Sequence, residues 1–345
     1  MRTAPVALHA LGDDHALVDL AMTISNLTHA DRLAGEACVL WCVAIDRAVR
    51  EGHFEGIWDG VELLPADRQG YWAERLQEAQ DGPPGRFNPN GFVVPALQAA
   101  ISAIWRTPIP ADQPCRHLQD ALQTVIKVAG DTDTTAAIAG SMLGARWGAS
   151  AIPVEWQLLL HGWPGYRAKD LVRLAVLTAM GGASDSSGWP AAESLTDHYR
   201  RSWPAEPFVQ PLVEDEGVLL ANFSCAREKL ADVVVSLCRV GREDIKADQH
   251  AEVWLVDSPD PLANPNLDFV LSDLAKAIVG WRGDGKTVLV HCVQAQSRTP
   301  AVAAAYLAER LGISGAEALG RVRTQVPGAM VNRGFEEALG RVWPG

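Results

Sequence analysis

Thr287-Val288-Leu289-Val290-His291-Cys292-Val293-Gln294-Ala295-Gln296-Ser297-Arg298-Thr299 decides the fold of the C-terminal half of this chain, together with the alanine-rich run that follows it. A short apolar run predicts a buried strand, and alanine is the strongest helix former. Cys292 and Arg298 therefore frame five residues at a strand-to-helix junction. Attack by a thiolate on a phosphate ester makes three demands that such a junction meets. The thiol must ionise near neutral pH, below its usual value of about 8.5. Backbone N–H groups at a helix N-terminus direct partial positive charge at the thiolate and at the phosphate oxygens. An arginine adds a planar fork that binds two of those oxygens at once. Cys292 is thus the expected nucleophile, and Val293, Gln294, Ala295, Gln296, Ser297 and Arg298 are the expected phosphate-binding loop. A general acid must protonate the leaving oxygen.

Around this junction the pattern alternates. Residues 218–221, 251–256 and 287–290 read as strands, and residues 225–239 as a helix or strand. Residues 266–281, 299–311, 314–325 and 333–343 read as helices, so an α/β layer is expected. The first half reads differently. Apolar residues recur at helical spacing over 15–51, interrupted at residues 28–31, which offer an N-cap for a second helix. Residues 66–80, 93–106 and 115–128 also read as helices, and convincing strands are lacking before about residue 180. Small and turn residues over 181–190, then a polar stretch, predict a linker over 183–210. The expected organisation is a helical domain over 1–182, this linker, and an α/β domain over 211–345.

The bulk numbers fit two soluble domains. The chain has 345 residues, 48% hydrophobic and 21% charged, with a formal net charge of −12. That charge argues against sequence-independent nucleic-acid binding and against a polybasic membrane surface. No stretch is apolar enough for a membrane span, and the N-terminus lacks the apolar core of a signal peptide. The cysteines at 38, 42, 115, 225, 238 and 292 are scattered. Cys38 and Cys42 lie four apart in a helical pattern and could pair on zinc, but no second ligand pair at zinc-finger spacing follows, so buried structural thiols are favoured there. A reducing cytoplasm is the expected compartment.

A second motif lies at Gly130-Asp131-Thr132-Asp133-Thr134, followed by small residues through Gly144. Two carboxylates two apart, with a hydroxyl, suit a hard cation such as Mg²⁺ or Mn²⁺. An ordinary helix N-cap explains the same spacing and is favoured on spacing alone.

The loop at Cys292 resembles the signature of the cysteine-dependent phosphatases of dual-specificity type: His-Cys, five residues, Arg, then Ser or Thr. The resemblance extends through Tyr306-Leu307 and Asn332-Arg333-Gly334-Phe335, and covers roughly residues 211–345. It implies a phosphocysteine on Cys292, Arg298 as phosphate clamp, Thr299 hydrogen-bonding near the sulfur, and His291 holding the loop. It also implies a general-acid aspartate about thirty residues before the cysteine. Asp260 has the closer spacing, and Asp257 is the alternative. The family carries glycine where this chain has Ala295, a position suited to φ > 0.

Residues 130–144 resemble the C-terminal metal motif of the ADP-ribosylglycohydrolases, a family that includes the dinitrogenase-reductase-activating glycohydrolase. His161-Gly162 and Thr28-His29 resemble further family positions. The resemblance implies an all-helical fold and two metal ions that assist release of ADP-ribose. It implies Asp131, Asp133 and Thr134 as ligands to Mg or Mn. The family's other ligands lie on an N-terminal Thr-Asp-Asp segment that this sequence lacks. Met1-Arg2-Thr3-Ala4-Pro5 resembles a segment from the middle of the family's domain, so the glycohydrolase region is expected to be N-terminally truncated and to bind metal weakly. The expected function is a hydrolase with a phosphatase domain acting on phosphate monoesters, its partners being phosphorylated or ADP-ribosylated proteins or small molecules. The alternative is a regulatory protein that binds phosphate or ADP-ribose without turnover.

Overall fold

The computed structural model describes residues 2–326 and 328–345, so Met1 of the Met-Arg-x-x-Pro segment lies outside the described residues. The chain divides into two units. One runs to Ile152 and includes Thr178–Gly182. The other comprises Pro153–Leu177 and Ala183–Gly345.

The first unit is helical, as expected. Its main elements are α1 (Asp14–Asn26), α2 (Arg32–Arg50), α3 (Ala66–Asp81), α4 (Val93–Arg106), α5 (His117–Ile126) and α6 (Thr132–Trp147). Asp31 caps α2 at the expected interruption, accepting from the Leu33 N–H at 2.8 Å. Helix α2 is buried along most of its length, so even its polar side chains must find partners. Glu36 accepts from Trp72 Nε1 at 2.7 Å and from Arg32 and Arg68. Burial works to raise its pKa, but the hydrogen bonds from Arg68 and Trp72 outweigh that and hold the carboxyl below its usual range.

The second unit is built on five strands: β1 (Val209–Leu212), β2 (Asp215–Asn222), β3 (Val233–Ser236), β4 (Gln249–Glu252) and β5 (Val288–Cys292). Their order is β1-β2-β5-β3-β4. Within this five-stranded sheet β1 and β2 are antiparallel, and the other pairs are parallel. The sheet is therefore mostly parallel, as expected. Strand β5 is central and all five of its residues are buried. Both of its faces are covered, so its sequence is a continuous apolar run instead of an alternating one. The expected strand at 251–256 begins and ends earlier, at Gln249–Glu252. Beyond it the Val253 and Leu255 amides still bond to the carbonyls of Ser236 and Leu237.

The five longest described helices of this unit are α7 (Ala168–Ala179), α8 (Leu267–Gly283), α9 (Arg298–Leu311), α10 (Gly315–Gln325) and α11 (Arg333–Val342). The last two residues of α7 fall in the first unit. Residues 153–177 come before the sheet in sequence but pack within its unit, where the Val154 N–H donates to Asp273 at 2.8 Å. Much of the stretch expected as a linker is built in as well. Trp189, Leu195 and Tyr199 join a core cluster with Phe223, Val234, Val240 and Leu289. The buried Asp244 accepts from the Leu195 and Gly241 amides. Small and turn residues dominate the composition there, yet three large side chains anchor the segment by burial.

Candidate active site

In an open parallel sheet, ligands bind beyond the carboxyl ends of the strands. Cys292 is the last residue of the central strand, and the loop after it delivers the chain to the N-terminus of α9. Contacts from four directions fix this loop. The Phe223 N–H donates to the Val293 carbonyl at 3.2 Å, and the Met330 N–H to the Gln296 carbonyl at 2.8 Å. Ser297 Oγ accepts from the Asn332 N–H at 3.3 Å and donates to Asp257 Oδ1 at 2.7 Å.

Arg298 is the first residue of α9. Its Nη1 donates to the carbonyls of Leu237 and Leu255 at 3.2 and 3.1 Å, which aligns the guanidinium at the ends of β3 and β4. Its Nε is buried without a hydrogen-bond partner in the protein. The Thr299 hydroxyl is also buried and unpartnered. A buried polar group left unsatisfied costs about 1–3 kcal/mol. Two such groups in adjacent residues at a helix N-terminus suit an anion as their missing partner.

The two candidate aspartates have different surroundings. Asp257 Oδ1 also accepts from Asn332 Nδ2 at 2.7 Å, and its Oδ2 lies 3.8 Å from Arg298 Nε. Asp260 instead caps the short turn Pro261–Ala263, accepting from the Leu262 N–H at 2.9 Å. Asp257 is the carboxylate brought to the loop. Asn332 was legible as part of a motif, but its role in holding an aspartate was not. Ser297, read only as part of the anion-binding backbone, makes the same contact.

Ala295 has φ of 59°, in the left-handed region, and is 2% exposed. The sequence position suited to glycine is therefore a position of strain, of about 1 kcal/mol for an L-residue. We expect Ala295→Gly to stabilise the second unit by up to about 1 kcal/mol, less the extra entropy of glycine in the unfolded chain. Denaturant unfolding followed on this unit checks it, and a lower midpoint would contradict the strain.

His291 is fully buried. Burial, the largest influence, depresses its pKa to about 4, so the ring is neutral at pH 7. Its Nδ1 lies 3.4 Å from the Cys292 carbonyl oxygen and its Nε2 lies 2.7 Å from Ser236 Oγ.

In the first unit, Asp131 occupies the N-cap of α6, but its side chain makes no capping bond. The buried Asn90 holds the turn instead: its Oδ1 accepts the Asp131 N–H at 2.8 Å, and its Nδ2 donates to Thr135 Oγ1 at 3.1 Å. Gly130, with φ of 75°, lies against the Asn90 amide, where a Cβ would clash. The simple cap reading therefore fails at Asp131. The carboxylates of Asp131 and Asp133, with Thr134 beside them, suit one side of a hard-cation site. Mg²⁺ needs a near-complete octahedron, and no group of three or more His, Cys, Asp or Glu able to hold a metal occurs among the described residues. The donors present do not by themselves fit a two-metal centre.

Comparison with known proteins gives a family for each half. A model of the ADP-ribosylglycohydrolases matches residues 1–185, and one of the dual specificity phosphatase catalytic domain matches residues 225–342. The ADP-ribosylarginine hydrolase Tri1 of Pseudomonas putida (strain GB-1) is 27% identical over 158 residues, 45% of this chain and 39% of that protein. The chain thus spans well under half the length of this curated relative. Human DUSP28 is 23% identical, covering 40% of this chain and 94% of its own, with a TM-score of 0.35. The tyrosine phosphatase OH1 of Orf virus is 22% identical, covering 42% and 94%, with a TM-score of 0.31.

Proposed function

This chain belongs to the ADP-ribosylglycohydrolase family and carries a dual specificity phosphatase domain after that region, and on this premise we propose that its second unit hydrolyses phosphate monoesters through Cys292. The observation that carries the proposal is the pair of buried, unpartnered polar atoms, Arg298 Nε and Thr299 Oγ1, at the start of the helix that follows the loop. Arg298 Nε and the loop amides bind the phosphate oxygens. The Cys292 sulfur attacks phosphorus, an S–P bond forms, and the P–O bond to the leaving group breaks. Asp257 delivers the proton to the departing oxygen. Water then cleaves the S–P bond and releases inorganic phosphate.

A depression of about 390 Å³ adjoins Val293, lined by Tyr199, Arg200, Trp203, Phe223 and Arg227 among others. Its aromatic and cationic walls suit a leaving group with a flat or acidic portion, such as a phosphorylated peptide or small phosphoester. A second reading, phosphate capture without turnover, has one observation in its favour, the strained Ala295.

For the first unit we propose Asp131, Asp133 and Thr134 as one side of a Mg²⁺ or Mn²⁺ site that takes part in handling ADP-ribosylated substrates. Bound metal would supply Lewis-acid polarisation. No described helix is long and apolar enough to cross a membrane. ADP-ribose release in Mg²⁺ or Mn²⁺ measures what this chain does by itself.

The leaving group tests the general acid. An alkyl phosphate needs protonation as its oxygen departs, whereas an activated aryl phosphate barely does. Asp257→Asn should lower kcat on an alkyl phosphate about 10²-fold or more, with a much smaller loss on p-nitrophenyl phosphate. Asp260→Asn should change neither appreciably. The reverse result would assign the acid to Asp260. No hydrolysis of either substrate by the unaltered protein would favour the capture reading.

A further inference from the structure

We infer that Lys169, His250 and Ser236 form a one-directional donor chain that positions His291, and through it the peptide joining Cys292 to Val293. The contacts are continuous. Lys169 Nζ, on α7, lies 3.3 Å from His250 Nδ1, on β4. His250 Nε2 lies 2.8 Å from Ser236 Oγ, on β3. Ser236 Oγ lies 2.7 Å from His291 Nε2, on β5. His291 Nδ1 completes the path at the Cys292 carbonyl. His250, Ser236 and His291 are interior groups: the His250 side chain is 5% exposed, and the other two residues are fully buried.

The direction follows from donor and acceptor inventory. A lysine ammonium only donates, so His250 Nδ1 must accept. Burial, followed by repulsion from Lys169, lowers the His250 pKa well below its usual value. Glu252 is the acidic group near this ring, 3.9 Å from Nδ1 and already bonded to Arg173 at 2.8 Å. A neutral imidazole carries one N–H, so the His250 proton sits on Nε2 and goes to Ser236 Oγ. Ser236 then donates onward to the Nε2 lone pair of neutral His291. That leaves the His291 proton on Nδ1, facing the Cys292 carbonyl. The carbonyl and the Val293 N–H belong to one planar peptide and point oppositely. Holding the carbonyl toward His291 therefore aims the Val293 amide the other way, toward the anion.

This assigns a role to α7, a helix outside the span that matches the phosphatase model. Lys169 lies about 120 residues before the nucleophile in sequence and touches none of the reacting atoms, so it is a positioning residue.

The inference rests on the phosphatase reading only where turnover is the readout, and two other readouts do not need it. The first is ¹⁵N NMR of the histidine rings in the unaltered full chain. Protons on His250 Nε2 and His291 Nδ1 are expected, and the opposite tautomer at either ring overturns the chain. The second is the rate of Cys292 alkylation by iodoacetamide at pH 7, read by peptide mass. Lys169→Met and Ser236→Ala should each slow alkylation and kcat on p-nitrophenyl phosphate about fivefold, within the range for residues acting through a network. KM should move less than kcat. The double variant should be no slower than the worse single one, since both cut one path. Lys169→Arg should restore most of the loss. An unchanged alkylation rate in a Lys169→Met protein that melts like the unaltered one would refute the inference, even in a chain with no turnover. Should a variant fail to fold, the ring tautomers of the unaltered protein decide the question.

Discussion

Cys292→Ser is expected to abolish hydrolysis of p-nitrophenyl phosphate, lowering kcat on the order of 10⁴-fold or more. A serine hydroxyl sits where the sulfur sits, but it stays protonated at neutral pH under the same helix N-terminus. The anion cradle is untouched, because Arg298 remains anchored on the Leu237 and Leu255 carbonyls and the loop remains tied to Phe223 and Met330. The variant should therefore keep binding inorganic phosphate with an affinity within a few-fold of the original. Turnover that survives at a tenth of the original rate would remove Cys292 from the nucleophile's role. Loss of both turnover and phosphate binding would mean that the sulfur helps to build the loop.

The largest stability effect is expected at Arg173, in the buried pair between α7 and β4. Arg173 Nη2 donates to Glu252 Oε1 at 2.8 Å and to the Val240 carbonyl at 3.1 Å, and the two side chains are 3% and 2% exposed. Arg173→Met leaves a carboxylate buried without its partner, which costs about 3–5 kcal/mol. Adding Glu252→Gln to it should recover much of that loss, because the stranded charge is the main penalty. Denaturant unfolding of the second unit measures both.

The same pair gives a pH dependence with a definite sign. Burial, the largest influence, raises the Glu252 pKa above its ordinary 4.5 despite the neighbouring Arg173. A carboxyl with a raised folded pKa binds more protons folded than unfolded. Its contribution is fully present below about 4.5 and is lost as pH rises through the folded value. Removing Arg173 raises that folded value further. The destabilisation by Arg173→Met should therefore be smaller at pH 5 than at pH 7.5, and equal losses at both would show that the carboxyl was not carrying the charge.

Several features could be read directly because their causes are local. The strand-loop-helix around Cys292 is contiguous, so the apolar run, the Cys-x5-Arg spacing and the alanine-rich helix all sit within one window. The helices of the first unit follow from a 3.6-residue repeat, and Asp31 caps α2 by accepting from the Leu33 and Ala34 N–H groups. Ala295 was conspicuous as a non-glycine at a tight turn, and its φ of 59° is the backbone consequence.

Other features depend on residues that meet only after folding. Spacing favoured Asp260 over Asp257, since distance along the chain says nothing about which carboxylate turns inward. Ser297 and Asn332 hold Asp257 at the loop from 40 and 75 residues away. Composition suggested a linker over 183–210, because it counts small and polar residues and does not register where Trp189, Leu195 and Tyr199 are buried. His250 carries no signal in the sequence until Lys169 and Ser236 meet its two ring nitrogens. The sequence by itself determined the element types, the strand-loop-helix that carries Cys292 and Arg298, and the spacing of the carboxylates at Asp131 and Asp133, because those follow from neighbours within a turn or two. Only the tertiary structure decided which aspartate contacts the loop, which unit holds residues 153–177, and what stands behind His291. Those outcomes depend on buried polar groups finding partners across long separations, which packing specifies and local pattern does not.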